Sequence, residues 1–578
     1  MRRPLLVIYW MLWASWPFLL QAQSPRPVST PTVFDNPVLV QRYQATITPQ
    51  DLAAHLFMVA SDYFEGRETT TRGQKLAAYY LASQYRKLGL KPAGTQQATH
   101  PYAPEAYFQP FTVYGQRLQE AHFVALQGTD TLVTLTFGPE QVSSEGYLWF
   151  GTHPESTGDL VFGGYGIADA ELGYDDYAAL AADSIELTGR WLMILADEPM
   201  ANDSTSLITA DGRLSRWTTQ PFLKLRQALQ AGVAGIILVG DRSLRETVSL
   251  AERARRAALR TRHRVGRLSL TPPQRSGFQF PPIWVVSSRI ADALLAPSGH
   301  TIAALQQQID THRQPVVFAV PEVTIQARLL QETFQAQTEN VLALIEGADS
   351  LLKNEVVILS AHYDHVGTDP TAEGDGIYNG ADDDGSGTVA LLEIAEAFMQ
   401  AVRDGYPPRR SILFLHVSGE EKGLLGSAYY TDQEPVFPLE KTVTNLNIDM
   451  IGRHDPTRNG DANYVYIIGS HLISQELHEI NVRVNEITGV HLALDERFNS
   501  KDDPNRFYAR SDHWNFGKHG IPFIFFFTGT HEDYHGVDDE PHKIDYDRMA
   551  RIVRLIFGTA WQVANQDNRP AVTGTGFN

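Results

Sequence analysis

The chain has 578 residues, 43% of them hydrophobic and 20% charged, with a formal net charge of -19 and no cysteine. That length exceeds one ordinary domain and predicts two or three, each with enough apolar residues for its own core. The acidic balance argues against nucleic acid or an anionic membrane as the main partner. The missing cysteines exclude disulfides and thiolate ligands, so any metal site must be built from His, Asp and Glu.

In chain order, Arg2 and Arg3 precede an apolar run over 5–20 and a small-residue site at Leu20-Gln21-Ala22. This pattern predicts a cleaved export signal over 1–22, hence a secreted or periplasmic protein with no stable membrane partner. Residues 23–45 read as a loose, proline-containing lead-in. Thr48-Pro49-Gln50-Asp51 is a helix start: a capping hydroxyl, a proline in the first turn and an acid at the positive end of the dipole. A second helix is expected over 74–88 with Gly89 as its stop, and Leu76, Tyr79, Tyr80 and Leu88 are read as its buried face. Residues 90–138 read as loop and short strands.

From about 140 to 320 the texture changes. Short β-like runs at 159–162, 191–195, 235–239 and 283–286, with a helix over 224–231, predict a separate, smaller α/β module. Within it lies an arginine run, Arg253, Arg255, Arg256, Arg260, Arg262, Arg264 and Arg267, read as a solvated helix face or a mobile loop. From Glu339 onward strands at 355–361, 411–417, 443–448, 463–468 and 522–528 alternate with helices at 386–401, 472–488 and 546–565. Such alternation predicts an α/β fold with a doubly wound, mainly parallel sheet. The run FIFFF at 523–527 is its buried central strand.

The chemistry is concentrated at predicted strand ends, where open α/β sheets place their sites. SAHYDHVG at 360–367 follows an apolar strand, and GADDDGSG at 380–387 opens a helix. Glu420-Glu421, Asn447-Ile448-Asp449-Met450, Arg510-Ser511-Asp512-His513 and Tyr534-His535 follow in order. A lone acid at a strand end means little; the ordered set is far more specific. Imidazole and carboxylate are the ligands of hydrolytic zinc sites. Two adjacent metals need a carboxylate that can bridge them, and metal-assisted hydrolysis also needs a carboxylate that is not a ligand, to move the proton. Adjacent glutamates can split these jobs.

With these motifs the chain resembles the co-catalytic zinc exopeptidases of peptidase family M28, over 340–565 and, through SDYFEGR at 61–67 and YRKLGLKPAG at 85–94, over 46–112. Segments GDLVFGGYGI (158–167), ELTGRWLMIL (186–195) and KLRQALQAGVAGIILVGD (224–241) resemble the protease-associated domain that some family members carry inserted at this point. The resemblance implies a zinc-exopeptidase fold divided as 1–22 signal, 23–139 first catalytic part, 140–322 inserted domain and 323–578 second catalytic part. It implies two zinc ions. His362 would bind one and His535 the other, Asp383 would bridge them, and Glu421 and Asp449 would each complete one site. Glu420 would be the general base, Asp364 would orient the imidazole of His362, and Tyr534 would add an oxyanion hydrogen bond. Arg510 would contact the substrate backbone or a carboxylate, and the Asp383–Asp384 peptide would be cis. Asp382 and Asp384 read as loop or capping residues, and Asp512 and His513 as anchors of the loop before the 522 strand; His365, His416, His531 and His542 fall off the pattern. The expected activity is that of an aminopeptidase acting on peptides with a free N-terminus, through a water held between the metals. A carboxypeptidase or dipeptidase on the same site, a glutaminyl cyclase and an inactive binding protein are the alternatives.

Overall fold

Two long strands organise the chain. Phe108–Gln127 and Val317–Ile345 run antiparallel, in register from Phe108↔Val341 to Gln127↔Val323. At one end Val341 to Ile345 pair with the strand Ser411–Val417. At the other, 317–319 and 324–328 pair with the strand Glu155–Gly163. One continuous sheet therefore passes through two modules, each with its own core. The computed structural model describes residues 30–202, 204–220, 222–240, 249–263, 266–273 and 279–577; the expected export signal lies outside them.

In the larger module the strand order is Ala493–Asp495, Tyr464–Ile468, Phe523–Phe527, Thr442–Ile448, Val356–His362, Ser411–Val417. The last four of these are mutually parallel, and only Tyr464–Ile468 opposes its neighbour Phe523–Phe527. Every residue of these four strands is buried, FIFFF included, because helices cover both faces. Helices Gly387–Arg403, Gln475–Ile487 and Tyr546–Asn565 match the expected positions within a few residues.

The N-terminal helices pack on this module. Pro49–Val59 is capped by Thr48, whose hydroxyl accepts from the Asp51 amide at 3.1 Å. Arg72–Leu88 ends at Gly89 with φ 90°, a left-handed turn that favours glycine. Its buried face differs from the expected one. Ala77, Ala78, Leu81, Ala82 and Tyr85 face the core, while Leu76 and Tyr79 are exposed. The small alanines let this helix lie close against its neighbours, and of the expected face only Tyr80 and Leu88 pack, partly buried, against the core.

The smaller module pairs Glu155–Gly163, Trp191–Leu195, Gly235–Val239 and Ile283–Val286 in parallel, with Gly146–Phe150 antiparallel at the edge. Its main core runs from Ala121 to Leu329, so it also draws on the long strands and on Asp130–Phe137. Position 322/323 falls inside the strand Val317–Ile345, whereas 139/140 lies between the strands Asp130–Phe137 and Gly146–Phe150. Residues 90–138 are mostly long strand, not loop. The arginine run falls mainly on the helix Leu250–His263, where Arg255 and Arg256 pair with Glu252, one turn earlier.

Candidate metal centre

Four parallel strand ends converge. His362 is the last residue of Val356–His362, Glu420 and Glu421 follow Ser411–Val417, Asp449 follows Thr442–Ile448, and Tyr534 and His535 lie beyond Phe523–Phe527. The fifth contributor is the loop Ala381–Ser386, where the Asp383–Asp384 peptide is cis.

The side chains form two His-carboxylate triads that share Asp383. His362 Nε2 lies 3.3 Å from Asp383 Oδ1 and 3.7 Å from Asp449 Oδ1. His535 Nε2 lies 3.0 Å from Asp383 Oδ2 and 3.2 Å from Glu421 Oε2. The two oxygens of one carboxylate thus face two different imidazoles. Glu420 belongs to neither triad but lines the same cleft, with Oε2 4.0 Å from His362 Nε2.

The loop is held by groups that sequence patterns do not reveal. The buried carboxylate of Asp539 accepts from the amides of Asp382 (3.0 Å) and Asp383 (3.1 Å). Arg67, the last residue of SDYFEGR, is fully buried, and its guanidinium donates to the carbonyls of Tyr363 (2.9 Å), Asn379 (2.7 Å) and Gly380 (2.8 Å). One cation therefore ties the segments of His362 and Asp383 together and sits among their acids. Asp384 accepts from the amides of Gly387 (2.8 Å) and Met450 (3.2 Å), and Asp382 from that of Gly452 (2.6 Å). Both knit the loop, as read from sequence.

Asp364 requires a correction. The hydrogen-bonding partner of His362 Nδ1 is the Asp364 backbone carbonyl at 3.1 Å, whereas the carboxylate oxygen is 4.0 Å away. The carboxylate instead accepts from Thr69 Oγ1 (2.7 Å) and from the Glu420 amide (3.2 Å). It fixes the backbone beneath Glu420. Asp512 accepts from Ser427 and His513 meets the Tyr508 carbonyl at 2.8 Å, so both anchor their loop. His416 meets the Tyr85 hydroxyl in the core at 2.6 Å, and His531 lies 3.4 Å from Asp382. His365 was left off the pattern, yet it is buried with Nδ1 2.9 Å from Glu421 Oε1 and 3.9 Å from Asp383 Oδ2. Its place three residues after His362 in HYDH was the available signal.

The residues fit metal ions on two counts. His362 Nε2, His365 Nδ1 and Glu421 Oε1 are buried polar atoms without a hydrogen bond, and all point into the centre. Such orphans are costly unless something binds them. The charge also calls for cations: Asp382, Asp383, Asp384, Asp449, Asp512 and Asp539 are all buried here. Burial alone would lower the His535 pKa, but Asp383 and Glu421 reverse this and push it up to about 10. Burial and Asp383 would raise Glu421; His365 and His535 prevail and bring it down to about 2. Histidine and carboxylate are zinc's usual oxygen and nitrogen donors.

Beside the triads a small cleft is walled by Met450, Phe507, Phe525 and Phe527, with Thr530, Tyr534 and Arg510 along it. Arg510 Nη2 donates to the Tyr534 hydroxyl at 3.2 Å and its guanidinium lies 5.0 Å from the Phe507 ring centroid. A larger open depression near Phe34, Ile480 and Arg483 has none of the His-carboxylate groups. Among the described residues no helix is long and apolar enough to cross a membrane.

A doubly wound sheet whose strand ends carry two His-carboxylate triads sharing Asp383 defines an α/β protein with a candidate metal centre. Residues 340–560 match the sequence profile of Peptidase family M28. Aminopeptidase YwaD of Bacillus subtilis (strain 168) is 26% identical over 259 residues, covering 42% of this chain and 49% of that protein. A probable leucine aminopeptidase 2 of Aspergillus oryzae is 32% identical over 200 residues, covering 33% of this chain and 34% of that protein. The chain thus spans about half the length, or less, of these curated relatives. Among solved structures, an aminopeptidase from Aneurinibacillus sp. strain AM-1 aligns over 92% of this chain and 97% of its own, with 16% identity and a TM-score of 0.49.

Proposed function

We propose that this chain is a di-zinc aminopeptidase that removes apolar N-terminal residues from peptides. The observation that carries the reading is the pair of triads sharing Asp383, with Glu420 beside them and outside both. His362, Asp383 and Asp449 would hold one zinc, and His535, Asp383 and Glu421 the other. The ions, when bound, would polarise the scissile carbonyl and acidify a water. Glu420 takes a proton from the attacking water as its oxygen bonds to the carbonyl carbon, then delivers that proton to the departing amine as the C–N bond breaks. Burial, supported by Asp512, Glu421 and Asp449, raises the Glu420 pKa well above the ordinary carboxylate range, which suits a group that must hold a proton between two steps. The Tyr534 hydroxyl supplies a hydrogen bond to the developing oxyanion.

The acid-rich centre attracts a free α-ammonium, and the wall of Met450, Phe507, Phe525 and Phe527 receives an apolar side chain. The aminopeptidase names of the relatives support the same reading. The smaller module is proposed as a protease-associated domain that limits access to short peptides, and export rests on the pattern of residues 1–22. One observation favours a second reading. Arg510 in the cleft wall is a cation suited to a substrate carboxylate, as a carboxypeptidase or dipeptidase needs.

The test is hydrolysis of free and N-acetylated peptides by purified protein, before and after chelation, with zinc restored. Cleavage of free-amine peptides alone, fastest for leucine, methionine and phenylalanine, is expected. Cleavage of acetylated peptides from their C-termini would establish the second reading instead. No cleavage by folded, zinc-loaded protein would reject both.

A further inference from the structure

Three other ionisable side chains converge far along the chain from the triads' motifs. His471 follows the strand Tyr464–Ile468, His478 lies in the helix Gln475–Ile487, and Glu496 immediately follows the edge strand Ala493–Asp495. One ligand atom from each lies within 4.8 Å of the others. His471 Nδ1 is 2.5 Å from Glu496 Oε2, and the two imidazoles stand edge to face with centroids 5.8 Å apart.

The contact between His478 and Glu496 is the informative one. His478 Nε2 and Glu496 Oε1 are 3.7 Å apart, too far for a hydrogen bond in either tautomer. Nδ1 of the same ring is engaged at 3.0 Å by Ser470 Oγ, which fixes the imidazole's orientation. Two donors on one tetrahedral metal, each at ~2.0–2.2 Å, are separated by about 3.3–3.6 Å. This gap is close to a coordination edge, whereas the 2.5 Å contact of His471 Nδ1 with Glu496 Oε2 is a direct ion pair that an entering metal would have to open. A ligating imidazole with its other nitrogen held by a neighbour is the usual arrangement in zinc sites.

We propose that His471, His478 and Glu496 form a separate site for a divalent transition metal, zinc by preference, at the edge of the large sheet. The site adds a side-chain link among three segments, two of which follow the paired strands Tyr464–Ile468 and Ala493–Asp495. Glu496 begins the stretch 496–512, which carries Phe507 and Arg510 to the cleft. Phe498 in that stretch packs on Tyr466 at 4.7 Å and on Phe507 at 4.8 Å, and Asn499 Oδ1 accepts from the Gly469 amide at 2.6 Å. A metal here would staple the root of the cleft-wall segment to the strand and helix behind it.

The probe is zinc itself, on the full chain stripped with chelator. Wild type, His478→Gln and Glu496→Gln are dialysed against the same low free zinc, and bound metal is counted per chain. Wild type is expected to hold one equivalent more than either variant, whatever number the triads take up. Its thermal transition should rise with that equivalent, and zinc should slow proteolysis within 496–506 in wild type only. Equal metal content in wild type and both variants, all folded by circular dichroism, would overturn the site. So would an extra equivalent that survives both substitutions, since it would bind elsewhere.

Discussion

Both modules are built from parallel strands with charged groups buried near their carboxyl ends, yet the groups are treated in opposite ways. In the smaller module Lys224 is fully buried, and its ammonium donates to the carbonyls of Leu195 (3.1 Å), Ala196 (2.9 Å) and Asp197. Buried Glu198 accepts from Ser215 and Thr218, and buried Asp176 from the amides of Tyr165 and Ile167 and the hydroxyl of Tyr174. Each of these charges meets several donors or acceptors within its own module. In the larger module His362 Nε2, His365 Nδ1 and Glu421 Oε1 are equally buried, make no well-aligned hydrogen bond, and face only the other ionisable groups of the centre. Satisfied burial builds structure; unsatisfied burial, converging on one point, marks a place where a ligand completes the set.

The comparison breaks most visibly at Asp383. Asp383→Asn replaces a bridging carboxylate oxygen with an amide nitrogen, which cannot bind a metal in the same way. Metal analysis should show both triads emptied, and turnover should fall to background. An Asp383→Asn protein that keeps its metals would end the bridging assignment. Glu420→Gln comes next. The amide cannot carry a proton, so kcat should fall about 10²–10⁴-fold while metal content stays that of wild type. Full activity would remove Glu420 as the base; loss of metal would make it a ligand.

The parallel strands, their order of chemistry and most helix ends were legible in the sequence, because buried parallel strands are continuous apolar runs and the ligands sit just beyond them. The long ribbon was not. Val323, Ile325, Ala327 and Leu329 do alternate with exposed residues, but the pattern extends beyond the length of an ordinary strand and crosses the change of module. The helix Arg72–Leu88 was placed correctly, with its face misassigned, because bulk was taken as burial where small alanines make the close contact. At the centre, the residues of the two triads could be grouped from sequence because each sits in a short motif. Arg67 and Asp539 could not be assigned roles, since their partners are backbone carbonyls and amides hundreds of residues away or at no fixed spacing. Asp364 was misassigned for a related reason: the atom that holds His362 is its carbonyl, which any residue would offer.

Asp539 sharpens the comparison from the satisfied side. Its carboxylate accepts two amides of the loop Ala381–Ser386, and burial with nearby Asp382 raises its pKa to about 6. Asp539→Asn keeps the shape but halves the acceptors facing those amides. Orienting groups behind metal ligands typically alter affinity or activity 10–100-fold. Zinc titrated against a competing chelator should therefore bind about that much more weakly, with the fold intact. Unchanged affinity would mean the loop holds its shape without Asp539.

The smallest effect on turnover is expected where the charge is already satisfied. Lys224→Met removes the ammonium from the smaller module and orphans the carbonyls of Leu195, Ala196 and Asp197. An unsatisfied buried acceptor costs about 1–3 kcal/mol, so the loss should show as a lowered thermal transition. Burial holds the Lys224 pKa down to about 8, with Asp197 and Asp176 opposing. The folded state therefore releases this proton before the unfolded state does, and wild type should gain stability as pH rises from about 8 towards 10.5, an increment absent in Lys224→Met. Turnover per folded molecule below the transition should match wild type, because no triad residue touches this site. A large fall in kcat with an unchanged melting point would invert the comparison and place chemistry in the smaller module.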